Sequence, residues 1–314
     1  MITFPASMRV FERGWLSSNN VLFIDDERDG DDGRDAHGIR TALVDTGYAI
    51  HAAQTLALVR QALGNDRTLD LIVNTHLHSD HCGGNALLQS NFICETLIPQ
   101  TEADAVREWD EEKLTFRATG QRCERFGFTG TIAPGATLRL GGLDWSVLGA
   151  PGHDPHSLML YCAAERLLIS ADALWENGFG VIFPELEGES GFAEQRAVLE
   201  LIATLDVRAV IPGHGAPFTD VSTALDIAFS RIDYLRADPV RNAKNALKVM
   251  IVFKLMELRS MPLSELLLLV DKAGAMRAAA NLLSNDRPGL VRKYLAELAS
   301  SGALRVEGET VRIG

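Results

Sequence analysis

The sequence predicts a layered α/β protein with a smaller, helix-rich unit at its C-terminal end. Three observations carry that expectation. Short strand-like runs alternate with stretches of helical period from residue 8 to about residue 215. Histidine or aspartate recurs directly after several of those runs, where a rigid sheet can fix the side chains that loops present. From about residue 240 the pattern changes to amphipathic helices followed by a short hairpin, which places the two units at 1–238 and 239–314.

Taken in order, "MRVFERGW" (8–15), "NNVLFID" (19–25) and "RTALVDTG" (40–47) read as three successive strands, rich in β-branched and aromatic residues. Between the last two, "DDERDGDDGRD" (25–35) holds seven acids and two glycines. An EF-hand needs Glu at the twelfth loop position, which here holds Ala36, so a solvated hairpin tip is expected instead. "IHAAQTLALVRQAL" (50–63) has helical period, and "LDLIVNTH" (69–76) is a buried strand running into a histidine-rich turn. "GGNALLQ" (83–89) starts a helix, a polar helical stretch spans 100–113, and 114–130 has no clear period and either overhangs a site or connects elements. Strands resume in "TLRLGGLDWSVLGAPGH" (137–153) and "SLMLYCAAERLLISAD" (157–172). "FAEQRAVLELIATL" (192–205) is a helix, and "VRAVIPGHG" (207–215) a strand ending at His214.

Composition bounds the function classes. With 46% hydrophobic and 23% charged residues in 314, the chain is of ordinary globular type. No run approaches the ~18–20 apolar residues of a membrane span. The densest, "LSELLLLV" (263–270), reads as a buried helix. The N-terminus lacks the layout of a signal peptide, so a cytoplasmic location is the default expectation. Cys82, Cys94, Cys123 and Cys162 form no C-x-x-C spacing and are expected as reduced thiols, Cys82 packing beside the site rather than ligating. The net charge is −12, yet 241–314 carries 12 Lys+Arg against 7 Asp+Glu, leaving −17 on the rest. An acidic body does not invite polyanions, whereas a basic tail does.

The chemistry concentrates in "NTHLHSDHCGG" (74–84), which packs His76, His78, Asp80 and His81 into six positions. Imidazole and carboxylate ligate zinc, iron and manganese, and they have little other reason to converge in one turn. His153 after "LGAPG", Asp172 after "LLISA" and His214 after "VIPG" supply further candidates, so five of the eight histidines join one set.

The motifs "LVDTG", "THLHSDH", "GAPGH", "SAD" and "PGHG", in that order over residues 8–235, resemble the metallo-β-lactamase superfamily. The resemblance implies an αββα sandwich holding two metals. His76, His78 and His153 would hold the first, Asp80, His81 and His214 the second, with Asp172 bridging and Asp45 orienting a ligand by a hydrogen bond. It implies a hydrolase that attacks with a metal-bridging hydroxide, Asp80 orienting it and then protonating the leaving group. Zinc is the expected metal, with iron and manganese suited to the same ligands. An aspartate at 172, rather than the cysteine of the common zinc β-lactamases, points to the glyoxalase II, lactonase and nuclease branches. With no export signal visible, an antibiotic-degrading role is not expected. His78 stands where the oxygen-reducing diiron branch has glutamate. The basic residues through which glyoxalase II proper holds glutathione near its C-terminus are not recognisable. Trp175, Phe179 and Phe183, close behind Asp172, are candidate pocket walls, as is His156; core packing or a solvent-facing turn is the plainer account of each. His37 and His51 lack motif context and are expected on the surface.

In the tail, "RNAKNALKVMIVFKLMEL", "PLSELLLLVDKAG" and "RPGLVRKYLAELASSG" read as three helices, and "ALRVEGETVRI" as a hairpin. That order resembles a winged helix, a unit found in a two-domain branch of the superfamily related to glyoxalase II. Arg292, Lys293, Arg305 and Arg312 make nucleic acid a candidate partner of 241–314, and docking into a homodimer another. The leading expectation is therefore a dinuclear hydrolase of a small or medium ester, thioester or lactone. The alternatives are an endonuclease for single-stranded RNA or DNA and, in another class, a non-catalytic nucleic-acid-binding protein.

Overall fold

A computed structural model describes residues 2–25 and 40–314. Most of the acidic run expected at a hairpin tip, and His37, lie outside the described residues. The first sheet has β1 (Met8–Phe11), β2 (Asn20–Ile24), β3 (Thr41–Val44), β4 (Leu71–Val73), β5 (Glu95–Pro99) and β6 (Gly130–Ile132), adjacent in chain order. The first three strands are antiparallel and the rest join in parallel. Helices α1 (Ala52–Leu63), α2 (Ser79–Cys82), α3 (Asn85–Asn91), α4 (Ala103–Glu108) and α5 (Phe116–Thr119) fall within this half. The second sheet runs β11-β10-β9-β8-β7, from β7 (Thr137–Leu140), β8 (Leu143–Gly149), β9 (Leu158–Cys162), β10 (Leu167–Ala171) and β11 (Ala209–Pro212). Only its β10–β11 pair is parallel.

Alternation along the strands explains the layers. Val21, Phe23, Ala42, Val44, Leu71 and Val73 of the first sheet meet Trp145, Val147, Leu158, Leu160, Leu167, Ile169 and Ile211 of the second. The intervening residues face outward and are covered too. Leu22, Leu43 and Ile72 pack under Val59 and Leu63 of α1. Met159, Leu168 and Val210 pack under α6 (Phe192–Thr204) and α7 (Val221–Arg236). With both faces covered, β2, β3, β4, β10 and β11 are buried along their whole length. The result is the expected αββα sandwich.

The tail holds α8 (Val240–Leu258), β12 (Ser260–Pro262), α9 (Leu263–Lys272), α10 (Gly274–Leu283), α11 (Arg287–Ser300), β13 (Leu304–Glu307) and β14 (Thr310–Ile313). It differs from the expected three helices and hairpin in two ways. "GAMRAAANLL" forms a helix of its own, and β12 pairs with β14 to make a three-stranded sheet in the order β12-β14-β13. The polar stretch at 100–113 is helical only to Glu108, because Trp109 takes a left-handed φ of 57°.

The tail does not stand apart from the sandwich. Ala118, Val181 and Leu186 join one apolar cluster with Leu247, Met250, Leu266, Met276 and Val291. The buried carboxylate of Glu257 on α8 pairs with Arg122 at 3.2 Å and with Lys254 at 2.5 Å. The segment 114–130 thus both connects and overhangs: α5 packs on α10, while Thr119 and Gln121 reach a cavity at the edge of the sandwich. Among the described residues no helix is long and apolar enough to cross a membrane.

Candidate metal centre

Every candidate ligand sits just past a strand end on one edge of the sandwich. Asp45 follows β3, His76 to His81 follow β4, His153 follows β8, Asp172 follows β10 and His214 follows β11. Backbone bonds tie these loops together across the two sheets. Ser18 N–H donates to Asp80 O at 2.9 Å, Asn19 N–H to Gly213 O at 2.7 Å, and Leu158 N–H to Thr75 O at 2.9 Å. Asp45 and Ala171 hold left-handed φ of 57° and 46°, conformations a non-glycine residue keeps only when its surroundings enforce them.

The loops bring seven side chains into contact. Ligand atoms of His76, His78 and His153 lie within 4.8 Å of one another, as do those of Asp80, His81 and His214, and those of His76, His81 and Asp172. Asp172 lies between the two outer groups, with Oδ2 3.3 Å from His153 Nε2 and Oδ1 3.5 Å from His81 Nε2 and 3.9 Å from His214 Nε2. Asp80 Oδ2 is 3.0 Å from His214 Nε2. Three of the five rings are turned by a bond on the far side. His81 Nδ1 donates to Asp45 Oδ2 at 2.8 Å, and His153 Nδ1 to the Val181 carbonyl at 2.6 Å. His76 Nδ1 is 3.1 Å from the Thr75 hydroxyl. Asp45 is itself held by the Thr75 N–H and hydroxyl at 2.9 and 2.8 Å, and Trp175 Nε1 donates to Asp172 Oδ1 at 3.2 Å.

These bonds leave lone pairs pointing inward with nothing to accept. His76 Nε2 and His81 Nε2 are buried and make no hydrogen bond, and His78 Nδ1 faces His153 Nε2 at 2.8 Å. A buried polar atom without a partner costs about 1–3 kcal/mol, so two of them converging beside the His78–His153 contact mark a place built for a cation. Nitrogen and carboxylate donors in this proportion fit divalent transition metals. Electrostatics agree. Burial, followed by His81 and His78, pushes His76 well below the usual imidazole range. Burial and then His153 push His78 down to about 4. Both rings are therefore neutral at pH 7, the form that ligates. Burial opposes charge on Asp172, yet His81 and His214 hold its carboxyl well below the usual range. His81 differs: burial opposes its charge, but Asp172 and Asp45 outweigh it and hold its imidazole well above the usual range, so this ring carries a proton that it would give up on ligating a cation.

The centre opens into a cavity of about 250 Å³. Trp175, Phe179 and Phe183 line it, Phe183 packing edge-on against His78 and His153 at 5.3 and 5.5 Å. His156 does not line it: its N–H donates to Asp154 Oδ1 at 2.7 Å, closing the turn after His153. His51 is half-buried rather than on the surface, bonded to Ser17 Oγ at 2.9 Å. Cys82 is fully buried beside Cys123, with its sulfur 3.7 Å away, and is no part of the ligand groups. The sequence reading missed Trp15, which stacks on His214 at 5.7 Å, and Arg231 of α7. It also missed Asn245, Val249 and Phe253, by which α8 closes the cavity from the tail. None of these has a local motif; helical period in 241–258 was the one available signal, and it does not say which neighbour the helix covers.

A sequence model of the metallo-β-lactamase superfamily matches residues 36–214. The hydroxyacylglutathione hydrolase of Rhizobium etli is 26% identical over 196 residues, covering 62% of this chain and 67% of that enzyme. The same-named enzyme of Rhizobium johnstonii is 26% identical over 216 residues, covering 65% and 75%. Among solved structures, a metallo-β-lactamase family protein from Thermus thermophilus matches with a TM-score of 0.56 at 19% identity. The match covers 98% of this chain and 99% of that protein, so the likeness of fold extends through the C-terminal helices.

Proposed function

This chain belongs to the metallo-β-lactamase superfamily as a metal-dependent hydrolase of its glyoxalase II-related branch, and from that premise we propose that it hydrolyses a small thioester, with esters and lactones as related substrates. The observation that carries the reading is the pair of ligand groups either side of Asp172. His76, His78 and His153 would hold one divalent cation, Asp80, His81 and His214 a second, and Asp172 would serve both. Zinc is proposed first, iron and manganese next. Two cations so held supply Lewis acidity, lowering the pKa of water to about 7 and drawing off charge from a carbonyl oxygen.

The protein's own residues do the rest. Asp45, Thr75 and the Val181 carbonyl fix the rings, so little rearrangement opposes the reaction. Trp15, Trp175 and Phe183 wall the cavity and thin the water around the reacting group. Asp80 lines the cavity, a position from which its carboxylate could take a proton released by the attacking water and hand it to the departing thiolate. The Rhizobium relatives are named for a glutathione thioester, which places thioesters ahead of esters and lactones. Residues 239–314 form, in this reading, a winged-helix-like unit whose first helix α8 is a wall of the catalytic cavity.

A second reading, cleavage of single-stranded RNA or DNA, draws on Arg292 and Lys293, exposed on α11, and on Arg305 of β13. Arg312 pairs with Glu307 at 3.0 Å and contributes less. A cavity of about 250 Å³ closed by α8 suits a small acyl group better than a polynucleotide. One experiment separates the two: zinc-loaded protein assayed on a thioester and lactone panel and on labelled single-stranded RNA, each with and without chelator. Chelator-sensitive thioester hydrolysis supports the proposal. Chelator-sensitive RNA cleavage with no hydrolysis of the panel overturns it.

A further inference from the structure

Arg231 projects from α7 to the rim of the catalytic cavity and is the only lysine or arginine among the described residues that line it. Its guanidinium lies 5.1 Å from the centre of the Phe179 ring and packs so closely on Gly178 that a Cβ there would fall 2.9 Å from Nη1. Among the described residues no carboxylate lies within ion-pair distance of it, and no oxygen accepts a hydrogen bond from it. Other arginines drawn away from water are satisfied. Arg13 donates to Asn20 Oδ1, Thr55 Oγ1 and Gln54 Oε1 at 2.7, 2.8 and 3.0 Å, and Arg208 pairs with Glu165 at 3.1 Å. Burial lowers the pKa of Arg231 from its ordinary value, as expected of a cation that has lost water and gained no counter-ion.

Arg231 and Asn245 also line a second space, a groove of about 360 Å³ that adjoins the cavity between α7 and α8. Arg241, Lys244 and Lys248 border it. Lys244 and Lys248 share the single carboxylate of Glu297, at 3.2 and 2.5 Å, and Arg241 pairs loosely with Asp238 at 3.4 Å. Four cations against two carboxylates leave this groove positive on a protein of net charge −12. The aromatic wall of Trp175, Phe179 and Phe183 suits an uncharged acyl group, and the positive groove leads outward from it.

Resting on the thioester reading, we propose that Arg231 and the groove beyond it bind an anionic group, a carboxylate or a phosphate, on the thiol-bearing part of the substrate. A guanidinium fork over an aromatic face meets the planar oxygens of either group with two parallel hydrogen bonds, which the protein itself does not supply. Arg231 thereby selects charged carriers and positions the scissile carbonyl against the metal centre.

The test holds the acyl group constant and varies the carrier. Lactoyl thioesters of glutathione (carboxylates), coenzyme A (phosphates) and N-acetylcysteamine (neutral) are assayed with zinc-loaded wild-type, R231Q and R231K proteins. Wild type is expected to favour a charged carrier over the neutral one in kcat/KM. R231Q should cut that preference about tenfold to a hundredfold, mainly through KM, with R231K restoring part of it. Whichever charged carrier loses more identifies the group bound. Equal losses on charged and neutral carriers would show a structural role, and no preference in wild type would show no anion site; either overturns the proposal. Calorimetric titration with free glutathione and free coenzyme A needs no turnover. If no thioester is cleaved, the hydrolase reading fails alone: thiol binding that R231Q weakens still upholds the anion site, and absent or R231Q-insensitive binding overturns it.

Discussion

Replacing Gly213 by alanine should dismantle the metal centre while leaving the fold in place. Gly213 follows β11 immediately before His214, and its φ is not in the left-handed region, so alanine meets no backbone penalty. The obstacle is what the new methyl would touch. A Cβ there falls far inside contact distance of Asp172 Oδ1, and 3.0 Å from Cε1 of His81. His81 can yield a few tenths of an ångström, but Asp172 must move on the order of 1 Å to reach ordinary contact. It starts fixed by Trp175 at 3.2 Å on Oδ1 and sits 3.3 Å from His153 Nε2 on Oδ2. Metal ligands tolerate displacements of roughly 0.2 Å, so a shift of that size removes the shared carboxylate from both groups. Lost outer-shell support alone costs about 10–100-fold in metal affinity, and displacing a ligand should cost at least that. Overpacking should lower stability by about 1–3 kcal/mol, leaving a folded protein. Metal content after dialysis against a graded zinc buffer, with circular dichroism of the metal-free variant as the folding control, measures both. A folded G213A protein that retains two zinc ions with wild-type affinity would refute the assignment of Asp172 to both groups.

Three further outcomes follow from the same geometry. D80N, compared with wild type at matched metal content, should lose about 10²–10⁴ in kcat on thioesters if Asp80 moves the proton to the leaving thiolate; unchanged kcat assigns Asp80 to ligation alone. Chelation should abolish hydrolysis and lower Tm, because His76, His78 and His153 then face one another without a shared partner, and restored zinc should reverse both; a Tm indifferent to metal would contradict a site built for cations. Burial pushes the Cys94 thiol up from 9.0 to about 11. Iodoacetamide at pH 8 should therefore modify it more slowly than a free cysteine. Because the unfolded chain ionises this thiol first, the folded state loses stability as pH rises from about 9 to about 11, and C94A should remove that part of the alkaline slope in denaturant titrations.

The candidate metal ligands were legible because their signal is local. Four of the seven fall within six positions of one turn, and the other three each follow a strand whose apolar run marks it. The buried strands were legible for the same reason, since the apolar runs "NVLFI" and "LLISA" follow from strands covered on both faces, while their stacking into a sandwich was implied by the family resemblance. Elements with a weak local pattern escaped notice. β5 and β6 are short parallel strands, one closed by Pro99, and they gain their identity from neighbours far along the chain. Alanine-rich α10 has a small apolar face whose burial depends on α8 and α9.

By itself, then, the sequence determined the layered α/β class, the cluster of seven candidate ligands and the acidic balance of residues 1–240, because periodicity and ligand chemistry act over a few residues. The sandwich itself was implied by the resemblance of the motifs to the superfamily. Only the tertiary structure decided which nitrogen of His76, His81 and His153 points inward, since that depends on Thr75, Asp45 and Val181. It alone brought Trp15 onto His214, α8 over the cavity and an unpaired Arg231 to its rim. Those residues come from opposite ends of the chain, and their proximity is a product of packing between elements, which no local pattern encodes.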